Sequence, residues 1–269
     1  MNPAEELTEP GRVSLIQRLE KTIKLRYVDS TAWACLWLAD LEALESLVHK
    51  AEAGDSCLNR DDNKCIITKA SMSLEVVHLY KITEWADDQR LFWATIKLFW
   101  GESRAKIWQD ATITTTTTTT TTNINTTNNP LQSSETPSNL VCLMSSVLSL
   151  WRSACFALKP LRVTPDQRVL QAQFCWLRPA SYRNLVSTTE MPRLQPDFES
   201  GTQQAGLWEC VGDRRIRTGD VIDIRTDDPQ KRPLPSLDLL QMQWTLARIL
   251  ALSGALGAPV REELHGKVE

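Results

Sequence analysis

The sequence predicts an α+β domain, mostly helical, with a β-hairpin and a few further antiparallel strands. Several long stretches repeat apolar residues at three- and four-residue spacing, the period of an amphipathic helix. Three short stretches, around residues 74–80, 168–177 and 220–225, instead alternate apolar and polar residues as half-buried strands do. Helices lie at both ends of the chain and the strands between them, the segregated order of an α+β fold.

Taken in order, residues 12–27 place Val13, Leu15, Ile16, Leu19 and Ile23 at helical spacing. A second helix is predicted from Thr31 to Ala53, with Trp33, Leu36, Trp37, Leu41, Leu44 and Leu47 as its buried stripe and Gly54-Asp55 as its stop. His49, late in that helix, suits the negative helix end as a surface residue. Arg60 to Asn63 reads as a polar turn, Lys64 to Thr68 as a short strand, Lys69 to Ser73 as a hairpin loop and Leu74 to Tyr80 as the return strand. Alternation puts Leu74, Val76 and His78 on one face of it, with Glu75, Val77 and Leu79 on the other. The apolar stretch DQRLFWATIKLFWGESRAKIW comes next as a helix broken at Gly101.

Residues 112–138 include nine consecutive threonines, Thr114 to Thr122, and little apolar surface, so they are expected to form a disordered insertion. After it, Asn139 to Pro160 reads as a strand-like opening turning into a buried helix. Arg168 to Leu177 and Asp220 to Arg225 alternate and are expected to pair. The last helix has Ser236 as N-cap, Asp238 in its first turn and Gly254 at its end, with Leu237, Leu240, Trp244, Ala247 and Leu250 facing the core. The expected division is an N-terminal helical segment (1–54), a domain over 55–255 carrying the insertion, and a tail (256–269).

Composition bounds the function. Apolar residues make up 42% and charged ones 23%, a balance that supports a real core, and ten tryptophans supply large rings for it. A net charge of −3 gives no global attraction for a polyanion. Locally, between Asn139 and Arg183, Arg152, Lys159, Arg162, Arg168, Arg178 and Arg183 face a single acid, Asp166. The seven cysteines form no CxxC pair, which argues against a zinc knuckle and for reduced thiols in the cytoplasm or nucleus. Neither a signal-peptide core nor an eighteen-residue apolar run is present, so an intracellular, unsecreted protein without a membrane span is expected.

The ordered series CLNRDDNKCIITK, EVVHLY, LFWGE, NLVCLMSSVLSLW and FALKPL, closed by PLPSLDLLQMQWTLARILALSGA, resembles the HNH nuclease domain proteins of fungi. The resemblance spans about residues 55–255 and rests on the order of several motifs. It implies a ββα-metal (HNH-like) hairpin–helix unit that hydrolyses nucleic-acid phosphodiesters with a divalent metal ion, Mg²⁺ or Zn²⁺. Carried over residue by residue, His78 matches the general base and Asn139 the positioning asparagine. Arg152, Lys159 and Arg162 become candidates for contacts with substrate phosphates.

The chain departs from the family pattern where the helix should offer a metal-binding histidine. Leu148 and Ser149 stand there, and from Asn139 through Lys159 there is no Asp, Glu or His. Lys69 stands where a glycine is usual, and Val77 precedes the base where a metal ligand is expected. The metal ligands are left unidentified. Two functions are the resulting expectations: an HNH-type endonuclease with weak or absent activity, or a non-catalytic module that keeps the fold and binds nucleic acid or protein.

Overall fold

A computed structural model describes residues 7, 9–24, 26–81, 86–112, 135–183, 185–192 and 205–257. Its elements run α1 (Arg12–Ile23), α2 (Ser30–Leu38), α3 (Leu41–Arg60), β1 (Leu74–His78), α4 (Ala86–Trp100), α5 (Glu102–Thr112), β2 (Leu140–Met144), α6 (Ser145–Arg152), β3 (Phe156–Val163), β4 (Val169–Trp176), β5 (Trp208–Glu209), β6 (Arg214–Arg215), β7 (Val221–Arg225) and α7 (Leu237–Ser253). The class is α+β with antiparallel sheets, as expected. Among the described residues no helix is long and apolar enough to cross a membrane.

The expected second helix is two helices. Asp29 caps α2 by accepting from the amides of Thr31 and Ala32, and the chain turns extended at Ala39 and Asp40 before α3 begins. Buried Arg12 of α1 donates to the carbonyl of Ala39 at 2.7 Å, satisfying one of the free carbonyls that α2 leaves at its end. Trp33 and Leu47 of the expected stripe are exposed, whereas Leu44 and Val48 are buried.

Gly54 does not end α3, which continues to Arg60. A helical glycine costs about 1 kcal/mol, and burial of Ala53 and Cys57 on either side of Gly54 outweighs it. The expected boundary at residue 54 therefore falls inside a single continuous helix. Left-handed backbone at Asp62 and Asn63 turns the chain away from that helix.

The expected hairpin does not form, because its first strand, Lys64–Thr68, is not a strand. That stretch is a compact turn, closed by the Lys69 amide on the Cys65 carbonyl at 2.9 Å and the Cys65 amide on the Ala70 carbonyl at 2.8 Å. β1 pairs antiparallel with β2 instead, in the register Leu74↔Met144, Val76↔Cys142 and His78↔Leu140. The turn docks on this pair through one bond, from the Ile66 amide to the Cys142 carbonyl at 3.0 Å. Gly101, with φ 80°, separates α4 from α5 as expected.

The two faces of the β1–β2 pair are covered differently. Val77, Val141 and Leu143 join Val147 and Leu148 of α6 in the main core. Val76, Leu140 and Cys142 pack against Ala53, Cys57 and Leu58 of α3. His78 alternates with Val77 and pairs with Leu140, which puts it on the α3 face.

β3, β4 and β7 form a second antiparallel sheet, and the expected pairing of residues 168–177 with 220–225 is present as β4 against β7. Leu170, Ala172, Phe174 and Trp176 alternate inward, and Phe174 stacks on Phe156 with ring centres 4.9 Å apart. A bulge between Pro160 and Arg162 falls where proline has no amide to give the ladder.

α7 lies on the opposite face of β3, where Ala247 and Ala251 meet Ala157. Ser236 caps it, accepting from the Leu239 amide at 3.3 Å. Gly254 closes it with φ 64°, and an added Cβ there would collide with the Ala180 carbonyl. Leu240 and Ala247 are buried, Trp244 and Leu250 half-buried, and Leu237 is exposed.

Of the expected disordered insertion at 112–138, Thr112 is the last residue of α5 and residues 135–139 belong to the fold. Residues 113–134, the threonine run included, lie outside the described residues, as does the tail from 258 onward.

Candidate functional site

His78 ends β1, and its imidazole Nε2 lies 3.2 Å from Oε2 of Glu135, with side-chain exposures of 18% and 20%. With the proton on Nε2 facing the carboxylate, Nδ1 is left as the acceptor. The hydrogen bond from His78 holds the Glu135 carboxyl below the usual carboxylate range against the opposing effect of burial, and Lys50 and Lys81 add to the lowering.

Asn139 closes the 3₁₀ turn Pro137–Asn139 and leads directly into β2. Its carbonyl accepts from the Leu79 amide at 2.8 Å. Its side chain clamps the backbone of Tyr80 from both sides: Oδ1 accepts from the amide at 3.0 Å and Nδ2 donates to the carbonyl at 2.8 Å. The structure thus brings His78 and Asn139 together, but through the backbone. The amide fixes the segment that leaves β1 just beyond the imidazole.

Asn139 is itself held by Arg60. This guanidinium donates to the carbonyls of Pro137 at 2.8 Å, Leu140 at 2.8 Å and Pro233 at 3.1 Å. It also grips Asp61 with two bonds, of 2.8 and 2.9 Å, and the side chains of both are wholly buried. Asp61 in turn accepts from the Cys142 amide at 2.9 Å. Burial works against the Arg60 charge, but the Asp61 carboxylate prevails and raises the Arg60 pKa above its usual value.

Cys57, Asp61 and Cys142 form a group that could hold a metal ion, their ligand atoms lying within 4.8 Å of one another. Cys142 pairs with Val76, one same-face step from His78 along β1. The donor set nevertheless does not fit a hard divalent ion. Two of the three donors are sulfur, and both carboxylate oxygens of Asp61 are engaged by Arg60, whose Nη2 also reaches Cys57 Sγ at 3.4 Å. The hydrogen bond with Cys142, 4.0 Å between sulfurs, and then burial push the Cys57 thiol up, away from the thiolate that a metal needs. A guanidinium occupies the place a cation would take.

The helix after β2 does not compensate. Leu148, where the resemblance looks for a histidine, is buried in the main core on the other face of the β1–β2 pair from His78. Substituting histidine there would put an imidazole among apolar side chains and away from the base.

The proposed phosphate contacts are dispersed. Arg152 is exposed at the end of α6, and Lys159 is exposed on β3. Arg162, past the bulge, donates to Gln171 Oε1 at 2.8 Å. None of the three makes a hydrogen bond or ion pair with His78 among the described residues. Nothing in the sequence singles out Glu135, and although Arg60-Asp61 falls in the first motif of the resemblance, nothing there signals a buried network. Glu135 falls in a stretch whose composition reads as unstructured, and Arg60-Asp61 reads as a polar turn. Comparison with protein-family models, with curated proteins and with solved structures gives no match.

Proposed function

We propose that this chain is an HNH endonuclease-like domain that hydrolyses nucleic-acid phosphodiesters weakly or not at all, with His78 as its base and Asn139 as its positioning residue. One observation carries the reading: an imidazole with Nε2 on Glu135, on a strand whose exit is clamped by the Asn139 amide. An imidazole so held can take a proton from a water at Nδ1, and Glu135 stabilises the imidazolium that results. In the family the resemblance names, a divalent ion neutralises charge on the phosphate. Here Arg60 already holds both Asp61 oxygens and the Cys57 thiol is pushed away from the thiolate, so the charge-stabilising half of the chemistry is weak and the rate is expected to be low. Arg152, Lys159 and Arg162 are the proposed contacts with the nucleic-acid backbone.

The second reading, a non-catalytic nucleic-acid-binding module, is favoured by Arg60 filling the cation position. Labelled single- and double-stranded DNA and RNA, incubated with Mg²⁺, Mn²⁺ or Zn²⁺, separate the two when cleavage and anisotropy are read together. The first reading expects slow cleavage abolished by His78→Ala. The second expects salt-dependent binding without cleavage. Robust cleavage that survives His78→Ala, or neither cleavage nor binding, would reject both.

A further inference from the structure

We propose that the cleft between the 61–69 turn and β7 binds a small monocarboxylate with an apolar body, its carboxylate held by the ammonium of Lys69. The cleft measures about 670 Å³ and contains none of His78, Glu135 or Asn139, although Arg60 and Asp61 line one wall of it. Ile66, Val211 and Val221 supply apolar wall.

The wall is rich in charge, and nearly all of it is already matched. Arg60 pairs with Asp61, Lys64 with Asp62, Arg214 with Glu209 at 3.6 Å and Arg225 with Asp223 at 2.5 Å. Lys69 alone among these cations makes no ion pair with any described residue. Its ammonium donates to the carbonyls of Ile66 at 2.8 Å and Asp223 at 3.4 Å, which leaves one of its three N–H groups free. Desolvation pulls the amine below its usual pKa, a penalty that a bound anion would offset.

The backbone adds a second argument. Lys69 has φ 59°, a left-handed conformation that glycine adopts without strain and lysine does not. A side chain kept at such a position, with its charged end half-sequestered over a cleft, is placed for use. The charge of the ligand is set by the surroundings. Asp61, Glu209 and Asp223 all act on Lys69 at short range, so a dianion would meet repulsion that a single carboxylate largely avoids.

The test is benzoate titration of the full chain, read by calorimetry and by amide NMR shifts. Saturable binding with a Kd of about 1 mM or tighter is expected, with shifts centred on Lys69, Val211 and Val221. Lys69→Gly removes the ammonium, with its bonds to the Ile66 and Asp223 carbonyls, and relieves the backbone strain, so it should weaken binding about tenfold or more in a protein that still folds. Lys69→Arg should retain binding. Phenyl phosphate at a pH where it is a dianion should bind more weakly than benzoate. The proposal is overturned if wild-type protein does not saturate, if the shifts centre outside the cleft, if Lys69→Gly binds as wild type does, or if the phosphate is preferred.

Discussion

Replacing Arg60 with methionine should destabilise the fold more than any other single change near His78. The substitution keeps an unbranched apolar stem but strips the wholly buried Asp61 carboxylate of its two charge-assisted bonds. It also removes the donor for the Pro137, Leu140 and Pro233 carbonyls. Breaking one side of a buried pair costs about 3–5 kcal/mol, most of it the penalty of a stranded charge. For a domain of this size that is a fall in Tm of roughly 6–20 °C, at about 2–4 °C per kcal/mol.

Removing both charges is different. Arg60→Met with Asp61→Leu leaves no buried ion, and should cost about 1–3 kcal/mol less than the sum of the two single changes. Urea denaturation of the four proteins of this cycle supplies the numbers. A single-mutant loss below about 1 kcal/mol, or a cycle that is additive, would refute the argument that Arg60 substitutes for a cation in this position.

Three further outcomes rest on the same geometry. Asn139→Ala strands the amide and carbonyl of half-buried Tyr80 and should cost about 2–3 kcal/mol by urea denaturation; a loss under about 0.5 kcal/mol would mean the clamp is not holding that segment. Glu135 has a folded pKa below its unfolded value, so its contribution is complete above the unfolded value of about 4.3 and is lost as pH falls through the folded one. The stability gap between wild type and Glu135→Gln should therefore be full near about pH 6 and shrink as pH falls below the unfolded value, and a gap constant throughout the acid range would contradict the His78 contact. A disulfide reagent at about pH 8 should label exposed Cys35 and Cys210 in the folded protein and reach Cys57 and Cys142 only on unfolding, which mass spectrometry of trapped peptides can read.

The parts of the fold readable in the sequence are those set by local pattern. Alternation in residues 168–177 and 220–225 names two strands, and their pairing across a loop is what the structure has. Ser236 and Gly254 bracket α7 because capping chemistry is local. The partner of β1 is not legible because β2 begins 62 residues after β1 ends, beyond α4, α5 and the threonine run, while Lys64–Thr68 lies close by and looks like a strand. Gly54 looks like a stop because a helix's tolerance of glycine depends on tertiary packing, which no local pattern carries.

At the site, His78 and Asn139 are singled out by the resemblance, but what connects them is not legible in the sequence. Glu135 sits in a polar, low-complexity context, and the partners of Arg60 come from residues more than seventy positions away, except for Asp61 and Cys57. Charges that look solvated in a sequence become a buried network only when the chain closes around them.

The most direct test of the account is a crystal of the protein soaked in Mn²⁺ or Zn²⁺, with the ion located by its anomalous scattering. The account predicts no ordered ion within about 4 Å of the His78 ring or among Cys57, Asp61 and Cys142, with Arg60 still on Asp61 and Nε2 of His78 on Glu135. An ordered ion bound at either place with Arg60 displaced would contradict it.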